Sequence, residues 1–483
     1  MLFNSYEYIL LFLPISLLVY FILNRLRRTV LAKVWLGASS LFFYSYWDIR
    51  FLPILLASIL FNFTVGNVLV RMPAEKQSAR KLVLFFGIAA DVTLLGYFKY
   101  ADFFIENVNA LFGTSYALLH LALPLGISFF TFTQIAYLVD SYRLNVRENS
   151  FNNYLLFVTF FPHLIAGPVL HHREMMPQFA NIRNKVLNSK NIALGIFVFT
   201  IGLVKKVLIA DTFAPFASHG FDQAASLGFI DAWITSLSYT LQLYFDFSGY
   251  TDMAIGAALM FNIRLPINFN SPYKALDIQD FWRRWHMTLS RFLLEYIYIP
   301  LGGNRKGKLR TYFNLMAVFI IGGIWHGAGW TYVFWGFLHG AAMIVHRIWK
   351  QLGFRMPKLL AWFITFNFVN VAWVFFRAQD WEDAIKVLKG MFGFNGVELP
   401  GITAHLPGIT ALGETLGISF VDVPAYTVLL IAIFLGVALF ARNANELSAQ
   451  FKPSLKMAAA VSVLFVYSLL NLNKISEFLY FQF

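Results

Sequence analysis

The chain is predicted to be an all-α, polytopic integral membrane protein, on three observations. Of its 483 residues, 58% are hydrophobic and only 13% charged, with a mean hydropathy of +0.62, whereas soluble chains average about 25% charged residues. Apolar runs of about 17 to 22 residues recur along the chain, long enough to cross a bilayer as helices. Basic residues gather at the ends of those runs, which is the positive-inside pattern. The net charge of +13 therefore points to membrane lipid and not to nucleic acid.

Spans are read at 8–24, 31–47, 51–70, 82–100, 119–140, 192–211, 228–247, 311–330, 331–349, 359–377, 426–441 and 457–472. Shorter apolar stretches at 153–170, 250–262 and 281–300 read as re-entrant or interfacial helices, giving about 11 to 13 transmembrane helices in all. The first run, Tyr8 to Leu23, lacks a basic segment before it and a small-residue cleavage site after it. It is expected to stay as a spanning helix instead of being removed as a signal peptide. Basic loops at Arg25–Arg28 and Arg71–Lys81 are expected on the cytoplasmic side, which puts the N-terminus outside. Asn304–Arg310, Arg347–Lys358 and Arg442–Lys456 are inside by the same rule. Spans 311–330 and 331–349 then form a hairpin that turns at the outer side near Ala328 to Thr331, and 395–424 is the largest outer loop of the C-terminal half. No repeat, low-complexity tract or soluble segment long enough to fold alone interrupts 1–483, which reads as one membrane-embedded domain.

Chemistry concentrates in a few places. His326 lies within Ile320-Ile321-Gly322-Gly323-Ile324-Trp325-His326-Gly327-Ala328, and an ionisable group inside an apolar span is functional by default. It lies about 21 Å along its helix from Tyr312 at 1.5 Å per residue. Gly323 and Gly327, with Gly336 and Gly340 on the partner span, have the spacing that lets helix backbones approach closely. His339 and His346, on that partner, read as imidazoles satisfied by neighbouring helices. His286 follows Phe281-Trp282-Arg283-Arg284-Trp285, 40 residues before His326. The alternation of aromatics and arginines there suits an amphipathic helix at the cytoplasmic interface. His286 is either a second site residue or part of an anchor. Arg283 and Arg284 supply the positive charge that a phosphate-bearing donor needs at its entrance, or else bind lipid headgroups.

Two further clusters stand out. Asp246, Ser248 and Asp252 occur in Leu243-Tyr244-Phe245-Asp246-Phe247-Ser248-Gly249-Tyr250-Thr251-Asp252. Their carboxylates could fix a histidine tautomer or pair with Arg264 or Lys274. Phe161-Pro162-His163-Leu164-Ile165-Ala166-Gly167-Pro168 breaks an apolar run, and broken backbone at membrane depth must be buried or line a cavity. His163 is a cavity residue or, more plainly, a ligand to freed backbone. The absence of cysteine excludes disulfides, thiolate catalysis and cysteine-ligated metals. No His-Glu-x-x-His pair, phosphate loop or Gly-x-Ser-x-Gly elbow is present either, so no metal site and no bound cofactor are expected.

These residues resemble the membrane-bound O-acyltransferase (MBOAT) family, in the bacterial branch typified by the alginate O-acetylation membrane protein (AlgI-like). The matching blocks are Leu123 to Phe129, Phe161 to Pro168, Leu243 to Ala254, Phe281 to Gly307 and Gly322 to Gly340, with a core motif region of about 90–350. The resemblance implies His326 as the base and His286 as the second motif position; the charge and clustering of the residues add Arg283, Arg284, Trp285, Trp325, Asp246 and Ser248 as supporting or donor-binding residues. It implies acetyl-CoA or another cytoplasmic acyl thioester as donor, and a polysaccharide such as alginate as the acceptor beyond the bacterial inner membrane. It also implies a separate periplasmic or membrane-anchored SGNH-type acetyltransferase partner, because the chain contains no such domain. Peptidoglycan O-acetylation and D-alanyl transfer to teichoic acid are the alternatives within the class. A proton-coupled polysaccharide or lipid transporter is the alternative outside it, disfavoured by the lack of internal repeats.

Overall fold

The computed structural model describes residues 1–146, 148, 150–400, 419–421, 425–472 and 479. The protein is a helical bundle. In chain order the helices are α1 (Leu13–Arg25), α2 (Thr29–Ser45), α3 (Leu52–Arg71), α4 (Gln77–Phe112), α5 (Ile127–Tyr142), α6 (Phe151–Thr159), α7 (Phe161–Leu164), α8 (His172–Ala180), α9 (Ser189–Val204) and α10 (Asp211–Ser218). They continue with α11 (Phe229–Met260), α12 (Ile278–Arg284), α13 (Met287–Leu293), α14 (Lys308–His326), α15 (Trp330–Gln351), α16 (Lys358–Arg377), α17 (Trp381–Met391), α18 (Ala425–Phe440), α19 (Ala444–Ala449) and α20 (Leu455–Leu470). A three-residue parallel pairing, β1 (Glu398–Pro400) with β2 (Ser419–Val421), is the one extended element among the described residues. Most of the expected outer loop 395–424 and most of the C-terminal 473–483 lie outside them.

Among the described residues, five helical runs are both long and apolar enough to cross a membrane: Glu7–Arg25, Ile49–Arg71, Gln77–Phe112, Ser189–Gln223 and Lys358–Arg377. The fold is all-α and polytopic, but several expected spans are drawn differently. The stretches 228–247 and 250–262 are one 32-residue helix, α11, so the second is not a re-entrant piece. Its buried aromatic and small residues make a continuous packing face through the centre of the bundle. The expected span 119–140 starts only at Ile127, after Gly126 with φ +68. The residues ahead of it run as a non-helical connection from α4, which is 36 residues long. The piece 281–300 is two short helices and a π-helical turn, broken at His286.

Small residues set the tightest contacts. A Cβ added at Gly202 would collide with the backbone of Gly249 and Met253, and one at Gly256 with Gly195 and Phe199, so α9 and α11 touch backbone to backbone. The α14–α15 hairpin is as close: a Cβ at Gly336 would strike the Phe319 carbonyl, and one at Gly323 the Tyr332 carbonyl. The Gly-xxx-Gly reading of this hairpin is thereby correct, and the turn between the helices is only Gly327 to Gly329.

Polar contacts sort the loops onto two ends. At one end Arg80 donates to Tyr142 O, Arg143 to Glu295 O at 3.4 Å, and Arg291 pairs with Glu174 at 2.8 Å. At the other, Trp330 Nε1 donates to Asn107 Oδ1 at 2.9 Å, Thr331 Oγ1 to Ala378 O at 3.5 Å, and Asn395 Nδ2 to Leu227 O at 2.9 Å. The α14–α15 turn therefore sits at the end away from these basic loops.

Candidate active site

His326 is the last residue of α14, and it is buried. The helix stops there because Gly327 leaves helical geometry with φ −157 and ψ 154. The imidazole is enclosed by rings, with centroids of Trp325, Phe376 and Trp335 at 4.9, 5.1 and 5.2 Å. His286 faces it, ring centroid to ring centroid 6.3 Å. The pair expected from the sequence is thus brought together in the bundle core.

His286 does not lie on an interfacial amphipathic helix as the sequence pattern predicted. It is fully buried and interrupts that pattern: its backbone adopts φ +43, ψ +53 between α12 and α13. A non-glycine residue in this region is strained, and such strain clusters at functional sites. The break turns the imidazole inward while Arg283 stays exposed. The non-helical connection between α11 and α12 holds the turn, with Asn270 N donating to Arg284 O at 2.9 Å and Met287 N to Asn268 O at 3.0 Å. Asn268 Oδ1 accepts from the backbone N and Oγ1 of Thr288 at 3.2 and 2.9 Å, and from His286 Nδ1 at 3.1 Å. An oxygen that accepts a backbone N–H is fixed as an acceptor, so the His286 proton is on Nδ1 and its lone pair on Nε2. Asn268 was not foreseen from sequence. Nothing in its local pattern marks it, because its partners are 18 to 20 residues away.

The carboxylates do not serve the histidines. Asp246 pairs with Lys206 at 2.8 Å and accepts from the Leu479 backbone N–H at 3.1 Å, and Asp252 pairs with Lys205 at 2.6 Å. Lys206 also reaches Asp211 at 2.8 Å. Neither Arg264 nor Lys274 is a partner: Lys274 donates to Ala441 O. The reason is helical phase. A π-helical turn, Lys205–Ala210, directs two consecutive lysines at α11, and Asp246 and Asp252 lie on the face that meets them. Ser248 is buried on the same helix.

Trp325 stacks on Phe132 at 5.0 Å, and Trp285 packs on Trp373 at 4.9 Å and Phe269 at 5.0 Å. Both line the aromatic wall around the pair. His339 accepts the Trp282 indole N–H on Nδ1 at 3.2 Å, and His163 Nε2 donates to the Phe157 carbonyl at 2.9 Å. His163 is a satisfied packing histidine, the plainer of its two readings, whereas His339 departs from its expected satisfied state: its Nδ1 accepts, and its buried Nε2 has no hydrogen-bond partner among the described residues. Among the described residues no group of three or more His, Asp or Glu side chains is arranged to hold a metal.

Two cavities are lined by residues near the pair in sequence, though by neither histidine itself. One of about 580 Å³ is lined by Arg283, Trp282, Phe319, His346, Arg347 and Lys350, among others. The other, about 300 Å³, is lined by Lys99, Asp102, Gly327, Ala328 and Tyr332, among others. Arg284 does not line the first cavity. It pairs with Asp280 at 3.0 Å and donates to Asn270 O at 3.3 Å, which makes it a brace for the His286 turn. Lys99 and Tyr100 were also missed, although a lysine between Phe98 and Tyr100 in an apolar run is a visible signal.

Comparison with known proteins shows what the chain is similar to. A peptidoglycan O-acetyltransferase of Helicobacter pylori is 56% identical over 429 residues, covering 83% of this chain and 81% of that protein. A protein named probable alginate O-acetylase AlgI from Pseudomonas putida is 38% identical over the full length of both chains. A teichoic acid D-alanyltransferase of Streptococcus thermophilus is 26% identical over 52% of this chain. Residues 41–378, which include both histidines and the helices around them, match the sequence profile of the membrane-bound O-acyltransferase family, and the chain belongs to that family.

Proposed function

We propose that this O-acyltransferase moves an acetyl group from a cytoplasmic thioester to a hydroxyl of an extracytoplasmic polysaccharide, with His326 as general base. The observation that carries this reading is the buried, facing His286–His326 pair, with sequence neighbours of its two members, Arg283 and Gly327, each lining a cavity. In the proposed step the imidazole of His326 takes the acceptor hydroxyl proton as that oxygen bonds to the thioester carbonyl carbon. The carbon–sulfur bond then breaks, and the proton passes to the departing thiolate, which leaves as the thiol. His286, its Nδ1–H held by Asn268, presents Nε2 to orient the acceptor. A neutral imidazole in apolar surroundings needs no counter-charge, which suits burial among aromatic rings. Positive charge from Arg283, Arg347 and Lys350 in the larger cavity suits a donor with phosphates, such as acetyl-CoA.

Peptidoglycan is the acceptor we favour, because the relative named for that activity is 56% identical. Alginate is the second reading, supported by relatives that are 38–40% identical. An SGNH-type partner outside the membrane would carry the acetyl group from the hydroxyl acylated at His326 on to either polymer. In this proposal the chain spans the bacterial inner membrane with the basic loops in the cytoplasm. The test is membranes of the source bacterium, overproducing the protein and retaining its own SGNH-type partner, given radiolabelled acetyl-CoA with purified sacculi or alginate. Base-labile acetate on sacculi, lost in His326→Ala, is the expected result. Label on alginate alone would select the second acceptor, and label on neither polymer would refute acetyl transfer from this donor.

A further inference from the structure

The end of a helix leaves its last four carbonyls without partners in the helix. Inside a bilayer no water is available to satisfy them. At the end of α14 those carbonyls belong to Gly323, Ile324, Trp325 and His326. Gly323 O accepts from Gly327 N at 3.3 Å. The other three are met by two consecutive residues of α4. Tyr100 Oη donates to Ile324 O at 2.5 Å, and Lys99 Nζ donates to Trp325 O at 2.7 Å and His326 O at 2.9 Å. Lys99 also reaches Ser128 Oγ on α5 at 3.4 Å. The same helix holds the far side of the turn: Phe103 packs on Trp330 at 5.7 Å, and Asn107 accepts the Trp330 indole N–H. Lys99, Phe103 and Asn107 are spaced by four, so they form one stripe along α4.

A cation at a helix C-terminus is favoured by the partial negative charge of the carbonyls. A lysine ammonium has three donors, and here they are directed at two carbonyls and a hydroxyl. The residue whose carbonyl is held is the same residue that carries the proposed base. We infer that Lys99, assisted by Tyr100, is a positioning residue that fixes the His326 imidazole in its working orientation. This inference rests on the His326 reading above. It assigns to Lys99 no contact with the reacting atoms. Its effect passes through the backbone of Trp325 and His326, and a misplacement of about 1 Å at a reacting group costs on the order of 10²-fold in rate.

The chain contains no cysteine, so Lys99→Cys introduces a unique thiol. That thiol borders the 300 Å³ cavity. Alkylation with 2-bromoethylamine rebuilds a lysine-length ammonium at that one position, and labelling is checked by mass spectrometry. In the acetyl-transfer assay, Lys99→Cys and Lys99→Met should lose about 10²-fold in turnover with the Michaelis constant for acetyl-CoA unchanged. Aminoethylation of Lys99→Cys should restore most of that loss, and methylthiolation, which adds no donor, should not. A purely structural lysine predicts a lower yield of folded protein with normal turnover per folded molecule. Turnover of Lys99→Met within threefold of wild type overturns the inference, and so does complete aminoethylation without recovery. Should the Lys99 variants not fold, Tyr100→Phe deletes one hydroxyl and keeps the ring. It should lose roughly tenfold in turnover, as expected for about 1.4 kcal/mol, and wild-type turnover there overturns the claim. His326→Ala is measured alongside. An inactive His326→Ala with a fully active Lys99→Met removes the positioning claim alone, whereas a fully active His326→Ala removes the base reading beneath it.

Discussion

Asn268 Oδ1 accepts the Nδ1 proton of His286 at 3.1 Å and also holds Thr288 through two hydrogen bonds. One side chain therefore sets the tautomer of His286 and anchors the first turn of α13. Asn268→Leu removes the acceptor at nearly constant volume. Turnover should fall roughly 10- to 100-fold, the scale of a misoriented catalytic group, with donor affinity retained. Steady-state kinetics on membranes check this, and Asn268→Asp, which keeps an acceptor, should recover part of the loss. Equal rates for wild type and Asn268→Leu would remove His286 from the mechanism.

Arg283 and Arg284 are neighbours in sequence with separate tasks, since Arg283 lines the larger cavity and Arg284 braces the turn. Arg283→Gln should raise the Michaelis constant for acetyl-CoA about tenfold, because one charge-assisted contact contributes roughly 1.5 kcal/mol. Arg284→Gln should instead lower turnover or folded yield. Initial rates against donor concentration separate the two, and an unchanged Michaelis constant in Arg283→Gln contradicts the donor entrance.

Lys206 and Asp246 form a buried pair, with side chains 3% and 1% exposed. Removing one partner leaves an uncompensated charge, which costs about 3–5 kcal/mol in a protein interior. Lys206→Met should give a markedly lower unfolding temperature in detergent, with little change in turnover per folded molecule. A variant that unfolds at the wild-type temperature would show that the pair contributes nothing to the bundle.

How much was legible in the sequence follows from the range of each signal. Helical spans and the close α14–α15 packing depend on local hydropathy and on glycine spacing, and both could be read directly. The pairing of His286 with His326 was legible through motif resemblance. The break at His286 was not, because the aromatic and basic alternation of Trp282 to Phe292 suits a continuous amphipathic helix. A positive φ at a histidine is imposed by Asn268 from outside that segment. The partners of Asp246 and Asp252 were misread for a similar reason. A π-helical turn at Lys205 shifts the helical phase, and periodicity based on 3.6 residues per turn does not anticipate it.

The basic segment Asn304–Arg310 is expected on the cytoplasmic side. With Lys308→Cys as the sole thiol, an impermeant maleimide should label the protein only after the membrane is opened. Labelling in intact cells would invert the proposed orientation, and with it the sides assigned to donor and acceptor.

The central claim is that the buried imidazole of His326 accepts the proton of the acceptor hydroxyl. The most direct measurement is acetyl transfer by His326→Ala in membranes, normalised to folded protein, with acetyl-CoA as donor and sacculi as acceptor. Loss of a general base costs about 10²–10⁴-fold, so the variant should retain at most about one hundredth of wild-type turnover while still inserting and folding. Retention of more than about a tenth, well above what that range allows, would contradict the account.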